Sequence, residues 1–309
     1  MKEKAKKHKI VLFTGYACSN RCVFCVDADK RGLPEKTTAE LLSLIYAAKK
    51  KGADILEIIG GEATIRPDFT ALVRAAKDVG IAEVVCATNG RVFSDMGMAK
   101  AIVGAGIDAL IFSIHGPKAQ IHDALTASPG SFSELMKGLA NLKKLGFKRV
   151  GGNTTVVRGN MRALPAMAKL YVRLGTRNVE YIFVDPNYGG ARNNFARLVP
   201  RISAAAPYMK KALSIGLAAG FGQWKARYVP LCHFKGFEAQ ISETNERLLF
   251  RTEHWAPDFK NTDAIGSRSV VGRRRTAACK GCARLHVCEG IWVEYLKRYG
   301  DRELKVVKE

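Results

Sequence analysis

Cys18, Cys22 and Cys25 stand in Cys-x3-Cys-x2-Cys spacing directly after a β-rich run, so three thiolates can converge from one loop. Thiolates suit iron-sulfur clusters and zinc. Three ligands from one loop leave one iron of a cubane open, and an open coordination position is where a substrate or cosubstrate can bind. Zinc sites more often pair cysteines at x2 to x4 spacing twice over, whereas this triplet stands alone. A second group, Cys232, Cys279, Cys282 and Cys288, sets a distant cysteine before Cys-x2-Cys-x5-Cys. It suits a cluster or a tetrahedral zinc, and His233 and His286 sit beside the ligands and could replace one. Of eight cysteines only Cys86 is left over, as a small core or barrel-lining thiol.

The elements that must position these groups are legible as periodicity. Six β-rich runs, Ile10 to Thr14, Ile55 to Ile59, Glu83 to Thr88, Ala109 to Ile114, Arg149 to Val157 and Val179 to Val184, alternate with helical patterns. That is the signature of successive βα units and a parallel sheet. Thr37 with Glu40 and Ser131 with Glu134 each fit a capping box. Six units make an open version of the eight-stranded barrel, whose chemistry collects at the C-terminal strand ends. Each of those strand ends carries a polar or glycine motif: Gly60-Gly61-Glu62, Thr88-Asn89-Gly90, Ser113-Ile114-His115-Gly116, Asn153 with Thr155, and Asp185-Pro186 before Gly189-Gly190. After a helical stretch from Phe195 to Leu217 the pattern becomes irregular, so a boundary is expected at Gly220. The expected units are a basic tail over 1–9, a barrel over 10–219 and a cysteine-rich extension over 220–309. The last has few long apolar periodic elements and is expected to need a metal to hold it.

The loop Cys18-Ser-Asn-Arg-Cys22-Val-Phe24-Cys25 resembles the signature of the radical SAM superfamily, and the later motifs fall in that family's order. The resemblance implies an α/β fold, a partial (β/α)6 barrel with a small C-terminal cysteine-rich auxiliary-cluster domain. It implies that Cys18, Cys22 and Cys25 hold a [4Fe-4S] cluster that binds S-adenosylmethionine (SAM) and cleaves it reductively. Gly60, Gly61 and Glu62 would contact the SAM amino group, and Thr88, Asn89, Ser113 and Asn153 its methionine or ribose. Ala63 stands where the family often has proline. His115 can also pack beneath the site, and Asp185 can also be a turn residue. The C-terminal group resembles the SPASM and twitch extensions. With cysteines for one cluster it resembles the twitch-like form, and the resemblance implies a second [4Fe-4S] cluster at Cys232, Cys279, Cys282 and Cys288.

The chain has 309 residues, 47% hydrophobic and 25% charged, with a formal charge of +22. No apolar run approaches a membrane span. The lysine-rich start precedes only Ile10 to Phe13, short of a secretory h-region, so a cytoplasmic location is expected and the cysteines are read as metal ligands rather than disulfides. Lys2, Lys4, Lys6, Lys7 and Lys9 with Arg273, Arg274 and Arg275 form basic runs that attract polyanions or simply solvate a surface. The expected partners are SAM, a low-potential electron donor such as flavodoxin or ferredoxin, and a substrate that is a peptide, protein or metabolite. An acidic peptide would suit the charge. The rival readings are RNA or tRNA modification by the same chemistry, a non-catalytic iron-sulfur electron carrier, and a zinc-dependent RNA-binding protein.

Overall fold

The computed structural model describes residues 6–308, so Lys2 and Lys4 lie outside the described residues. Nine strands form one sheet: β1 (Lys7–Phe13), β2 (Ile55–Ile59), β3 (Glu83–Thr88), β4 (Ala109–Ser113), β5 (Val150–Val156), β6 (Asn178–Phe183), β7 (Gln223–Arg227), β8 (Phe250–Trp255) and β9 (Lys260–Asn261). Their order is β7-β6-β5-β4-β3-β2-β1-β8-β9, and every pair is parallel except the β8–β9 hairpin. The six expected strands are present, β1 beginning three residues earlier than its apolar run because Lys7 to Lys9 pair with β8. The crossovers are α1 (Thr38–Lys50), α2 (Phe69–Asp78), α3 (Met96–Gly104), α4 (Ala119–Thr126), α5 (Ser131–Lys144) and α6 (Leu164–Arg173). Beyond β6 come α7 (Gly189–Asn193), α8 (Phe195–Leu198), α9 (Ile202–Ala218), α10 (Ser242–Leu249), α11 (Ala264–Ser267) and α12 (Val293–Tyr299). Pro200 divides the stretch expected as one helix into α8 and α9, holding Val199 extended before it.

Alternation along each strand separates two environments. Ile10, Leu12, Leu56, Ile58, Val84, Leu110, Phe112 and Phe183 are fully buried against the helical layer. Cys86 lies with them, which makes it a core thiol. The opposite face, carrying Lys9, Glu57, Ser113, Asn153, Glu180 and Arg227, is only partly buried and lines the barrel lumen. Thr37 and Glu40 do form the capping box. Ser131 and Glu134 do not: the helix cap is Gly130, Ser131 bonds Asp123, and Glu134 turns to Arg91.

The sheet continues past the boundary expected at Gly220. β7 extends it beyond β6, and β8 docks on the other edge beside β1. Glu253 secures β8: fully buried, it accepts from His8, Lys51 and Trp255 at about 3.0 Å. Burial opposes its charge, but the Lys51, Trp255 and Arg251 donors outweigh that and hold its pKa at about 2. Among the described residues, no helix is long and apolar enough to cross a membrane.

Candidate active site

The Cys18–Cys25 loop leaves the C-terminal end of β1 and is held from several sides. The Gly61 and Glu62 amides donate to Gly15 and Ala17 carbonyls at 2.9 and 2.8 Å. A Cβ on Gly61 would collide with the carbonyl oxygens of Tyr16 and Ala17, and one on Gly60 with that of Gly15. These two glycines are therefore required first by the loop's own close approach, before any ligand. Residues that sequence reasoning missed hold the rest. Arg91 donates to the Ser19 carbonyl at 2.5 Å and to Asn20 at 3.1 Å, Arg31 donates to the Asn20 carbonyl at 2.9 Å, and Glu35 accepts from Ala17 at 2.7 Å. Tyr16 bonds Asp258 on the β8–β9 turn, which Lys30 also reaches at 2.8 Å. No short motif marks these residues. Only their partners identify them.

Cys18, Cys22 and Cys25 are near enough to perturb one another. Burial pushes the Cys22 thiol up to about 12, with Cys25 and Cys18 adding to the rise. Burial likewise raises Cys18 and Cys25, while the Arg31 charge pulls both back. Neutral thiols so placed release protons on binding metal. The Asn20 amide already points at Cys18 Sγ, at 3.4 Å.

Glu62 is buried and nearly saturated by its own chain. Its Oε1 accepts from the Thr64 and Thr88 hydroxyls at 2.6 and 2.8 Å, and Oε2 from the Asn89 amide at 2.5 Å. Burial raises its pKa despite these donors. Glu62 thus ties the ends of β2 and β3 together, with Oε2 accepting a single hydrogen bond. Thr88 is occupied inside this knot, and Asn89 reaches Ser19 at 2.9 Å. Ser113 and Asn153 are register partners on β4 and β5 facing the lumen, with no side-chain hydrogen bond among the described residues. Thr155 lies on the same lumen face of β5. His115 packs beneath the loop, edge-on to Phe24 with ring centroids 4.8 Å apart, and accepts from the Thr155 amide at 3.3 Å. Burial and the neighbouring His122 keep it neutral. Asn160, also missed, binds the His115 and Thr155 carbonyls at 3.0 and 2.8 Å and so knits the ends of β4 and β5. Asp185 accepts from the Asn187 amide at 2.8 Å, and burial pushes it up to about 6.

Cys232, Cys279, Cys282 and Cys288 line one cavity with Pro230, Leu231, Leu285 and Leu304. Amides of Leu231 and Gly290 approach Cys288 Sγ at 3.5 and 3.4 Å, and that of Val307 approaches Cys282 Sγ at 3.4 Å. An apolar wall with amides aimed at sulfur is the environment that tunes a thiolate cluster. His233 is spent on the Glu303 carbonyl at 2.8 Å, and His286 is exposed. The donor sets, three thiols on the Cys18–Cys25 loop and four thiols around one cavity, fit an iron-sulfur cluster at each place.

The structure corrects two of the basic residues. Arg273 is fully buried, bonded to Glu243 at 2.5 Å, Glu289 at 3.1 Å and the Gly290 carbonyl at 2.6 Å, so it cannot meet a polyanion. Lys9 faces the lumen, paired with Glu57. Five cations (Lys9, Arg227, Arg247, Arg268, Arg273) and five carboxylates (Glu57, Glu180, Glu243, Glu246, Glu289) form a balanced internal set of ion pairs joining the barrel to the C-terminal region. The positive excess therefore lies elsewhere, on residues such as the exposed Arg274 and Arg275.

Comparison with known proteins agrees with this geometry. The sequence profile of the Radical SAM superfamily matches residues 12–182. The chain is 33% identical over 175 residues to an AdoMet-dependent heme synthase of Methanosarcina barkeri (strain Fusaro / DSM 804), covering 56% of this chain and 49% of that protein. It spans about half the length of the curated relatives it matches. Its fold is similar to that of Streptococcus suis SuiB bound to precursor peptide SuiA, with a TM-score of 0.68 at 12% identity over 98% of this chain and 75% of that one. It is also similar to anSMEcpe with bound AdoMet and Cp18Cys peptide, with a TM-score of 0.64 at 13% identity over 98% and 93% of the two chains. With the profile covering more than half of its residues, the chain belongs to the radical SAM superfamily.

Proposed function

We propose that this protein reductively cleaves SAM and uses the resulting 5′-deoxyadenosyl radical to take a hydrogen atom from a peptide or protein substrate. The observation that carries the reading is the placement of three thiols on a rigidly braced loop beside a polar, accessible lumen. Cys18, Cys22 and Cys25 would hold the first [4Fe-4S] group, which when bound supplies the single electron that breaks the sulfur to C5′ bond of SAM. The chain's own part is to bind and orient. The free lone pair of Glu62 Oε2 accepts from the SAM ammonium, a charge-assisted bond. Asn89 fixes the loop through Ser19, while the unpartnered Ser113 and Asn153 offer polar groups toward the ribose or carboxylate. Phe24 over neutral His115 closes the floor without adding a charge.

Cys232, Cys279, Cys282 and Cys288 would hold the auxiliary [4Fe-4S] group. Arg275, Arg284 and Lys305 on the walls of that cavity suit an acidic electron donor of the flavodoxin or ferredoxin kind. Likeness in fold to two peptide-bound enzymes along nearly the whole chain supports a peptide substrate. The charge of +22 supports a second reading, RNA or tRNA as substrate of the same chemistry. Anaerobically reconstituted protein, reduced with dithionite and given SAM, should form 5′-deoxyadenosine and methionine. Acidic peptides should accelerate this more than tRNA. Absence of 5′-deoxyadenosine from protein fully loaded with iron would overturn the activity, and acceleration by tRNA alone would transfer the assignment to the second reading.

A further inference from the structure

The two cysteine groups are far apart in sequence, yet one short segment joins the first to the C-terminal region that carries the second. Gly190, at the start of α7, donates its amide to the Cys25 carbonyl at 2.8 Å. Gly189, at φ +52°, and Gly190 lie so close to the loop that a Cβ on either would collide with carbonyls of Val23, Cys25 or Val26. Three residues earlier the same segment faces the other way. Asn187 donates from Nδ2 to the Gly272 carbonyl and accepts at Oδ1 from the Glu294 amide, both at 3.0 Å. Next to Gly272, buried Arg273 donates to the Gly290 carbonyl at 2.6 Å, and the Gly290 amide points at Cys288 Sγ at 3.4 Å. The links from Cys25 to Cys288 are thus a continuous series of hydrogen bonds and covalent bonds.

We propose that Asp185 to Gly190 is a positioning link, with Asn187 its positioning residue, that fixes the backbone of the Cys18–Cys25 loop relative to the C-terminal cysteine cavity. The inference rests on both cysteine groups holding clusters. Physically, the segment can do this because Asn187 satisfies a donor and an acceptor of the C-terminal region at once, while the nearby Gly189 and Gly190, lacking a Cβ, lie against the carbonyls of Val23 to Val26 without collision. Filling the C-terminal cavity pins Gly290 and Arg273, hence Gly272, and through Asn187 holds the Gly190 amide on Cys25. Coupling of this kind needs two sites and one shared element whose order each site biases.

The test isolates one site. In full-length protein with Cys18, Cys22 and Cys25 replaced by alanine, hydrogen exchange at the Gly190 amide is measured before and after anaerobic reconstitution with iron and sulfide. Exchange should slow about tenfold on reconstitution. In the same background Asn187→Ala should abolish the slowing, and Asn187→Asp, which keeps the acceptor for Glu294, should retain part of it. Exchange in β3 serves as the control for folding. In protein with its cysteines intact, Asn187→Ala should also alter the electron paramagnetic resonance signal of the reduced SAM-site cluster, while Asn187→Asp restores part of it. Iron retained with no slowing, or equal slowing in Asn187→Ala, overturns the link while leaving the two-cluster reading intact. Failure of the C-terminal cysteines to retain iron overturns both.

Discussion

Replacing Arg273 by methionine tests the internal ion-pair set most directly. The side chain has no solvent exposure and reaches Glu243, Glu289 and the Gly290 carbonyl. Methionine fills much of the volume and donates nothing. Glu289 keeps Arg268 at 2.8 Å and Arg247 at 3.0 Å, so it remains compensated. Glu243 keeps only the Tyr228 amide at 2.6 Å, and its Oε2 has no partner even in the native protein. The substitution therefore strands one buried carboxylate, which costs about 3 to 5 kcal/mol. At roughly 2 to 4 °C per kcal/mol for a unit of this size, the melting temperature should fall by about 10 °C at neutral pH. The pH dependence separates this mechanism from simple loss of packing. In the native protein burial opposes the charge of Glu289, but Arg268 and Arg273 outweigh it and hold the pKa at about 2. That group's stabilisation is complete above its ordinary value near 4.5 and fades as pH falls toward 2. In the variant Glu289 loses the Arg273 share of that support, so this part of the gap between native and variant is full above about pH 4.5 and shrinks as pH falls toward 2. Urea titrations followed by tryptophan fluorescence, anaerobically at about pH 7.5 and 3.5, should show the gap narrowing at the lower pH. A gap below about 1 kcal/mol at neutral pH, or one constant over that range, would refute the buried-charge argument.

Replacing Cys18, Cys22 and Cys25 together by alanine should remove about half of the iron bound after reconstitution and leave the C-terminal cluster intact; iron analysis showing no loss would contradict the division into two groups. Glu62→Ala removes the proposed bond to the SAM ammonium and should weaken SAM binding about ten- to a hundredfold, the equivalent of roughly 1.5 to 3 kcal/mol. Equilibrium dialysis within twofold of the native protein would discard that role. Asp185 is lifted from its ordinary value near 3.8 to about 6 by burial, only partly offset by the Asn187 amide and the Arg273 charge. The folded state thus gains stability from the protonated form that is full below about pH 4 and lost as pH rises through about 6, worth roughly 3 kcal/mol. Asp185→Asn should therefore match the native protein near pH 4 and exceed it at pH 8, and equal stability at pH 8 would show the carboxyl to be solvated. Substituting Arg274 and Arg275 by serine should lower the slope of log affinity against log salt by about 0.7 per lost contact to single-stranded RNA. An unchanged slope for RNA and acidic peptides alike would mark both arginines as solvated surface.

Local pattern determined a good deal of this protein. Apolar alternation located all six strands of the βα units to within a few residues, because each has one face that must meet helices. Thiol spacing located Cys18, Cys22 and Cys25 and likewise Cys279, Cys282 and Cys288, because ligands on one loop converge only within a few residues of one another, whereas Cys232 comes to the second cavity through the fold. The Thr37 to Glu40 box was legible for the same reason, whereas the equally local Ser131 to Glu134 pattern gave way to Asp123 and Arg91, which take those two side chains. What the tertiary structure decided was everything that depends on distant partners. Arg273 reads as part of a basic run and is buried because Glu243 and Glu289 arrive from other segments. Lys9 reads as part of a basic tail and faces the lumen because Glu57 stands beside it in register. Gly60 and Gly61 read as room for a ligand, yet the space a Cβ would need is filled by the chain from Gly15 to Ala17. β7 and β8 lie beyond the apparent boundary at Gly220, and only their pairing with β6 and β1 makes them part of the barrel sheet. Charge, burial and pairing of this kind are properties of the neighbours a residue acquires on folding, and a one-dimensional pattern carries no record of who those neighbours are.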